Sequence, residues 1–392
     1  MTQLPVYLDH AATTPVRPEV LEEMLPFLDQ EAFGNPSSAH RFGRVAHAAV
    51  EEARRQVATA LGVDPHQVVF TSGGTEADNL AVVGAALAAR SRGAAMVAAV
   101  SAIEHKAVLA AAHAMTGWGG GEIILPVTRD GIVQMDALDE ALARRPAIVS
   151  TMWVNNETGV LQPIATIAER CQAAEVPFHT DAVQAFGKVP VAGEGGDWSL
   201  LSISGHKIGG PKGIGALVIR QPDLVEPLIH GGGQQGGIRP GTENVPGIVG
   251  LGRAAELASR EQAHEHDRLG ELRTRLLEGL QRSIPDLQLV AESAPHAPHI
   301  LNVIIPGAPS ESMLMHLDLG GVAVSSGSAC TTGAVEPSHV LAAMGVPDES
   351  AVSAIRFSLG HGSTMGHVTR ALEVVPGCAE KVRRLAGVLD SG

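Results

Sequence analysis

The chain has 392 residues, 45% of them apolar, 18% charged and only 3% aromatic, which excludes a disordered chain and leaves Ala, Val, Leu and Ile to build the core. A formal net charge of −14 argues against a general binder of nucleic-acid backbone or of an anionic membrane surface. Its three cysteines, Cys171, Cys330 and Cys378, form no C-x-x-C pair and leave an odd thiol, so neither a disulfide framework nor a cysteine-based zinc site is expected.

A free thiol suits a reduced compartment, and a cytoplasmic location is expected. The opening MTQLPVYLDHAATTP lacks a cationic region followed by an apolar one, so no signal peptide is expected, and no apolar run approaches the ~20 residues of a membrane span. The 17 His residues show no zinc-type spacing, and no metal site is expected.

Along the chain, short apolar runs alternate with helical patterns. Val68–Thr71, Met96–Ser101, Ile123–Pro126, Ala147–Met152, Pro177–Thr180 and Leu200–Ser204 read as buried strands, with Ala-, Glu- and Arg-rich stretches such as Val45–Leu61 and Ala165–Ala174 between them as helices. That alternation implies an α/β fold with a mostly parallel sheet flanked by helices. From Gly247 to roughly Arg282 runs one long helical pattern, followed by strand candidates at Leu287–Val290, His299–Ile305 and Val322–Ser325 and by closing helices. The expected division is a large domain over residues 16–260 and a smaller α+β domain from residues 1–15 and 261–392. Gly250-Leu251-Gly252 mimics part of a dinucleotide fingerprint but lies inside the helical run with no strand before it, so those glycines read as helix packing.

Ligands of an open parallel sheet bind beyond the carboxyl ends of its strands. After the first strand stands Ser72-Gly73-Gly74-Thr75-Glu76, opening a helix, where glycines admit close backbone approach and free N–H groups face an anion. A glycine turn with Thr75 as a simple helix cap is the plainer alternative. Asp181 follows another strand, and Ser204-Gly205-His206-Lys207 a third. A lone Lys there is ordinarily a solvated loop residue. Sharing one sheet edge with an acid and a phosphate-type turn, it suits pyridoxal phosphate: an amine for the Schiff base, a carboxylate for the ring nitrogen, and a cradle for the phosphate. An ion pair at ~4 Å and an effective dielectric of ~20 is worth about 4 kcal/mol, enough to raise the ring nitrogen's pKa by roughly three units.

Seven motifs then occur in order: SGGTEADN (72–79), EHKAV (104–108), VNNETGV (154–160), HTDAVQ (179–184), SISGHKIGGPKGIGAL (202–217), GGGQQGGIRPGTEN (231–244) and SSGSACTTG (325–333). Together they resemble the cysteine desulfurases of the class-V aminotransferase group, pyridoxal-phosphate enzymes of fold type I. The resemblance runs from Tyr7 to about Leu359.

The resemblance implies that Lys207 holds the cofactor, that Asp181 pairs with its ring nitrogen, and that His105 stacks on the ring and serves in proton transfer. It implies that Gln184 and Asn156 sit at the phenolic edge, Asn156 also beside the substrate, and that Gly74, Thr75, Ser204 and His206 grip the phosphate. Thr242 would reach that phosphate from a neighbouring subunit, making the active site a property of a homodimer. Arg356 would bind the carboxylate of L-cysteine, and Cys330 would take its sulfur as a persulfide, leaving L-alanine. The sulfur would pass to an acceptor, either an iron–sulfur scaffold or a thiolation protein.

Each residue also has a plainer reading: His105 as an ordinary helix-start histidine, Asn156 as a turn cap, Lys212 as a loop charge. Arg356 in an apolar run is harder to dismiss, because a buried guanidinium wants a partner. Cys330 sits among small polar residues, unlike Cys171 and Cys378, which read as helix packing. A selenocysteine lyase or an aminotransferase of the same fold, and a non-catalytic assembly protein that keeps it, remain open. The chain also ends without the longer tail that housekeeping members use to dock a cluster scaffold.

Overall fold

The structure, a computed structural model, describes residues 5–193, 196–326 and 338–387. Its strands in chain order are β1 (Val6–Tyr7), β2 (Val68–Thr71), β3 (Val97–Ser101), β4 (Gly121–Leu125), β5 (Ile148–Ser150), β6 (Phe178–Asp181), β7 (Leu200–Ser204), β8 (Gly215–Ile219), β9 (Gln288–Leu289), β10 (Ile300–Ile304), β11 (Val322–Ala323) and β12 (Ala354–Ser358). Seven of them form one sheet in the order β2-β8-β7-β6-β5-β3-β4. Every neighbouring pair is parallel except the two that involve β8. Strands β2, β7 and β8 are buried throughout and are near-continuous apolar runs, as strands covered on both faces require, whereas the edge strand β4 is largely half-buried.

Strand β8 is absent from the sequence reading, which saw only a glycine-rich stretch. Gly215 explains why glycine belongs there. It pairs with Thr71 on one side and Ser204 on the other, and a Cβ on it would meet Ile203 O at 2.6 Å and Gly73 C at 2.7 Å. The strand therefore presses against the turn after β2.

The long helix, Val245–Ser283, starts where the side chain of Asn244 caps Gly247 N. Its first half packs on the helix Arg41–Leu61, close enough that a Cβ on Gly252 would meet Ala53 Cα at 2.7 Å, so this glycine is indeed a packing residue. Leu251 and Leu257 belong to the core under the large sheet. Leu269, Leu272, Leu276 and Leu280 instead join a second core with Leu8, Val303, Phe357 and the C-terminal helix Met365–Leu385. In that region β10 pairs antiparallel with β12 and β9, and β1 pairs parallel with β11. The chain's first strand thus returns to its last third. Among the described residues, no helix is long and apolar enough to cross a membrane.

Candidate active site

The carboxyl ends of β2, β3, β5, β6 and β7 open into one cavity of about 460 Å³, closed on its far side by β12 and by residues 11–12. Gly74, Thr75, His105, Asn156, Asp181, Gln184, Ser204, His206, Lys207 and Arg356 all line it. These residues span most of the chain: the order of the large sheet brings most of them together, and β12 of the separate three-stranded sheet adds Arg356.

The turn after β2 runs straight into the helix Gly74–Ser91, which begins three residues earlier than the sequence suggests. Gly73 (φ +153°) makes that sharp entry. The first N–H groups of a helix have no intrahelical acceptor, so this terminus points positive potential into the cavity. Thr71 Oγ1 and Ser72 N fasten the turn, the first to Gly73 O at 3.0 Å and the second to Glu76 Oε2 at 2.7 Å.

Asp181 ends β6 fully desolvated, and burial raises its pKa, opposed by the Val183 N–H at 2.8 Å and by the nearby His105 and Lys207. Lys207 sits in a short 3-10 turn after β7 and donates to Ala11 O at 2.5 Å and Ala12 O at 2.8 Å. Burial, aided by the Arg356 cation, pulls its pKa down to about 8 against the opposing pull of Asp181 and Asp9. About a tenth of Lys207 is therefore a free amine at pH 7, far more than an ordinary lysine offers.

His105 is both a cavity residue and a helix cap. Its Nδ1 accepts from Ala107 N at 3.1 Å at the start of the helix Lys106–Thr116, which leaves the neutral ring's proton on Nε2. Burial lowers its pKa. The turn after β5 is capped not by Asn156 but by Asn155, whose Oδ1 takes the N–H groups of Glu157 and Thr158 at 2.9 Å. Asn156 keeps its side chain for the cavity. Gln184 donates to Ala11 O at 2.8 Å, and His206 Nδ1 lies 3.1 Å from Thr13 Oγ1.

Arg356, on β12 and only 5% exposed, gives Nη2 to Asp9 Oδ1 at 2.7 Å and Nη1 to Asn156 O at 2.9 Å. Its Nε is buried with no acceptor among the described residues. Thr242 does not line the cavity of its own chain; it is exposed in the loop before the long helix. That loop is firmly held, Arg239 pairing with Glu76 at 2.8 Å and Gln235 Oε1 accepting from Phe70 N at 3.0 Å. Cys330 lies outside the described residues. Cys171 is buried against the main core and Cys378 packs against the second one.

Three acidic residues and a histidine around the site escape the sequence reading. Asp78 and Glu104 are 1% and 0% exposed, and burial beside Asp181 pushes both carboxyl pKa values well up, so each holds its proton. Glu104 Oε1 takes the Met152 N–H at 2.7 Å. His179 bridges Ser150 Oγ at 2.8 Å and Ser202 Oγ at 2.9 Å beneath Asp181, with Asp78 Oδ1 3.8 Å away, and burial lowers its pKa to about 3. Spacing offered a signal for His179, two residues before Asp181 and so on the same face of β6. It offered none for Asp9, the partner of Arg356.

Residues 6–370 match the family model described as Aminotransferase class-V. A cysteine desulfurase IscS of Dictyoglomus turgidum is 45% identical over 381 residues, covering 97% of this chain and 96% of that protein. A cysteine desulfurase of Cereibacter sphaeroides is 46% identical over 383 residues, with 97% of each covered, and a human cysteine desulfurase is 43% identical over 97% of this chain and 82% of its own. Among solved structures, a NifS-like protein superposes with a TM-score of 0.87 at 35% identity, over 98% of this chain and 100% of its own. SspA in complex with cysteine gives 0.78 at 34% identity, over 90% and 98%. With a matching model over nearly its whole length and relatives this similar, the chain belongs to the class-V aminotransferase family.

Proposed function

We propose that this enzyme is a pyridoxal-phosphate-dependent cysteine desulfurase that converts L-cysteine to L-alanine and keeps the sulfur as a persulfide on Cys330. The observation that carries the reading is the meeting of the Lys207 amine, Asp181, His105 and Arg356 in one cavity of a chain this similar to cysteine desulfurases. The donor set fits the cofactor. The lining offers a helix N-terminus with the hydroxyls of Thr75 and Ser204 and the His206 ring for a phosphate, a desolvated carboxyl group at Asp181, and an amine at Lys207 that burial brings to about 8.

Pyridoxal phosphate, when bound, supplies a protonated ring that draws electrons away from the substrate's α-carbon. Gly74, Thr75, Ser204 and His206 would hold its phosphate, Asp181 its ring nitrogen, His105 its ring face, Gln184 and Asn156 its phenolic edge, and Lys207 its aldehyde carbon. Arg356 orients the substrate carboxylate with a planar fork that Lys could not reproduce. Once released, the Lys207 amine is the group able to take up a proton near neutral pH. His105, with Nδ1 engaged by Ala107 N–H, acts first as a donor from Nε2. Transfer balances as one sulfur atom leaving cysteine for the Cys330 thiolate, with the thiol proton and the substrate's own protons completing alanine.

The active unit is a homodimer in which the partner's Thr242 completes the phosphate site, the role its exposed and well-braced loop suits. Sulfur then passes to an acceptor protein, an iron–sulfur scaffold or a thiolation protein, in a reducing cytoplasm. The test is Cys330→Ser. The variant should still change colour with L-cysteine yet lose alanine and sulfide production together, while Cys171→Ser and Cys378→Ser stay active. Sulfide release at the unmutated rate by Cys330→Ser would overturn the reading in favour of another chemistry on this fold.

A further inference from the structure

Lys188 is a charged residue near the site that the reading above leaves without a role. It follows Gly187, whose left-handed backbone (φ +74°) and missing Cβ bring the turn onto the long helix. A Cβ there would meet Ala258 Cβ at 2.8 Å and Ile208 Cγ2 at 3.3 Å. The helix also grips the Lys188 main chain: its carbonyl accepts from His266 Nδ1 at 3.0 Å and Gln262 Nε2 at 3.4 Å. The ammonium points the other way and donates to the main-chain carbonyl of Lys207 at 3.0 Å.

We propose that Lys188 is a positioning residue for Lys207: it ties the Lys207 main chain to the long helix and sets a second cation close to the cofactor-bearing residue. The inference rests on Lys207 carrying the cofactor. The electrostatics agree in sign: burial first and then the Arg356 cation depress the Lys207 pKa, the Lys188 charge adds to them, and burial brings Lys188 itself to about 8. The groups facing the ammonium come from several elements: Lys207, His10, His299, and Glu265 of the long helix. Arg17, Glu261 and His361 share with Lys188 a cavity of about 190 Å³. Burial keeps His10 near 4 and His299 well below its ordinary value, so neither gains charge in the neutral range, and Glu265 stays ionised beside Arg268. Lys188 is thus the nearby charge whose removal is cleanly testable.

The experiment is a pH titration of the visible cofactor band in the resting holoenzyme, without substrate, for the unmutated protein and for Lys188→Met, Lys188→Gln and Lys188→Arg. Removing a neighbouring cation favours the protonated nitrogen, so Met and Gln should move the midpoint up by about half a pH unit or more, while Arg should restore the original midpoint. If Met fails to fold, Gln carries the same test. Unshifted midpoints in the folded neutral variants, or an Arg variant that shifts with them, would overturn the proposal. Borohydride reduction of the unmutated holoenzyme separates the two claims: an adduct away from Lys207 defeats the reading of the site, whereas an adduct on Lys207 with unshifted midpoints defeats only the role of Lys188.

Discussion

Asp9 and Arg356 stand 347 residues apart in the chain and form an ion pair of 2.7 Å that joins the N-terminal segment to β12 beside the cavity. The pair satisfies one arm of a nearly buried guanidinium whose Nε has no acceptor among the described residues. Removing Asp9 leaves that charge unpaired. Asp9→Ala should therefore cost about 3 kcal/mol of stability, read from denaturant unfolding, with Asp9→Asn costing less. A loss below ~0.5 kcal/mol in Asp9→Ala would show that Arg356 finds solvent instead.

Arg356→Lys keeps the charge and loses the fork. KM for L-cysteine should rise roughly 10- to 100-fold with a smaller change in kcat, the pattern of lost ground-state binding. Steady-state kinetics at saturating cofactor would check it. An unchanged KM would remove Arg356 from carboxylate recognition.

Gly215→Ala tests the brace behind the phosphate turn. The new methyl would collide with main-chain atoms of Ile203 and Gly73, which cannot swing aside as a side-chain tip can. A loss of about 1–3 kcal/mol is expected, together with weaker cofactor retention on dialysis. Full stability and retention would mean that β8 slides away from the turn at little cost.

The buried His179 gives stability a pH dependence of known sign. Its folded pKa, about 3, lies below the unfolded value of about 6.5, so its contribution is full above pH 6.5 and is lost as pH falls toward 3. His179→Asn should be less stable at pH 7, and the gap to the unmutated protein should narrow by up to about 1.4 kcal/mol for each pH unit below 6.5. Parallel stability curves would contradict a neutral, desolvated ring.

The proposed sharing of active sites makes a mixing experiment decisive for the dimer. A Lys207→Ala chain and a Thr242-altered chain, unfolded together and refolded, should give activity above the mean of the two parents, because one site per mixed dimer would be intact. Activity equal to that mean would confine each site to one chain.

Much of the site was legible because the chemistry stands at strand ends. Asp181, Ser204, His206 and Lys207 each follow a short apolar run, and the turn Ser72–Glu76 opens a helix, so local pattern alone put them on one sheet edge. The strand limits differed from the structure by no more than two residues, and Val68–Thr71 and Leu200–Ser204 coincide with it. What stayed hidden depends on contacts between distant segments. Nothing near Asp9 marks it as the partner of Arg356, and Lys188 gains its place only when Gly187 meets the long helix. Strand β8 was masked by the glycines that precede it, although Ala216–Ile219 is itself a short apolar run. Asp78 and Glu104 carry no local mark of their burial, which raises both carboxyl pKa values well above the ordinary range.

The most direct measurement is the mass of the intact protein and its peptides after treatment with L-cysteine in the absence of reductant. The expected result is the added mass of one sulfur atom on the peptide that contains Cys330, absent from Cys330→Ser and lost on adding a thiol. Added sulfur on Cys171 or Cys378, or alanine formed with no sulfur on the protein at all, would contradict the account.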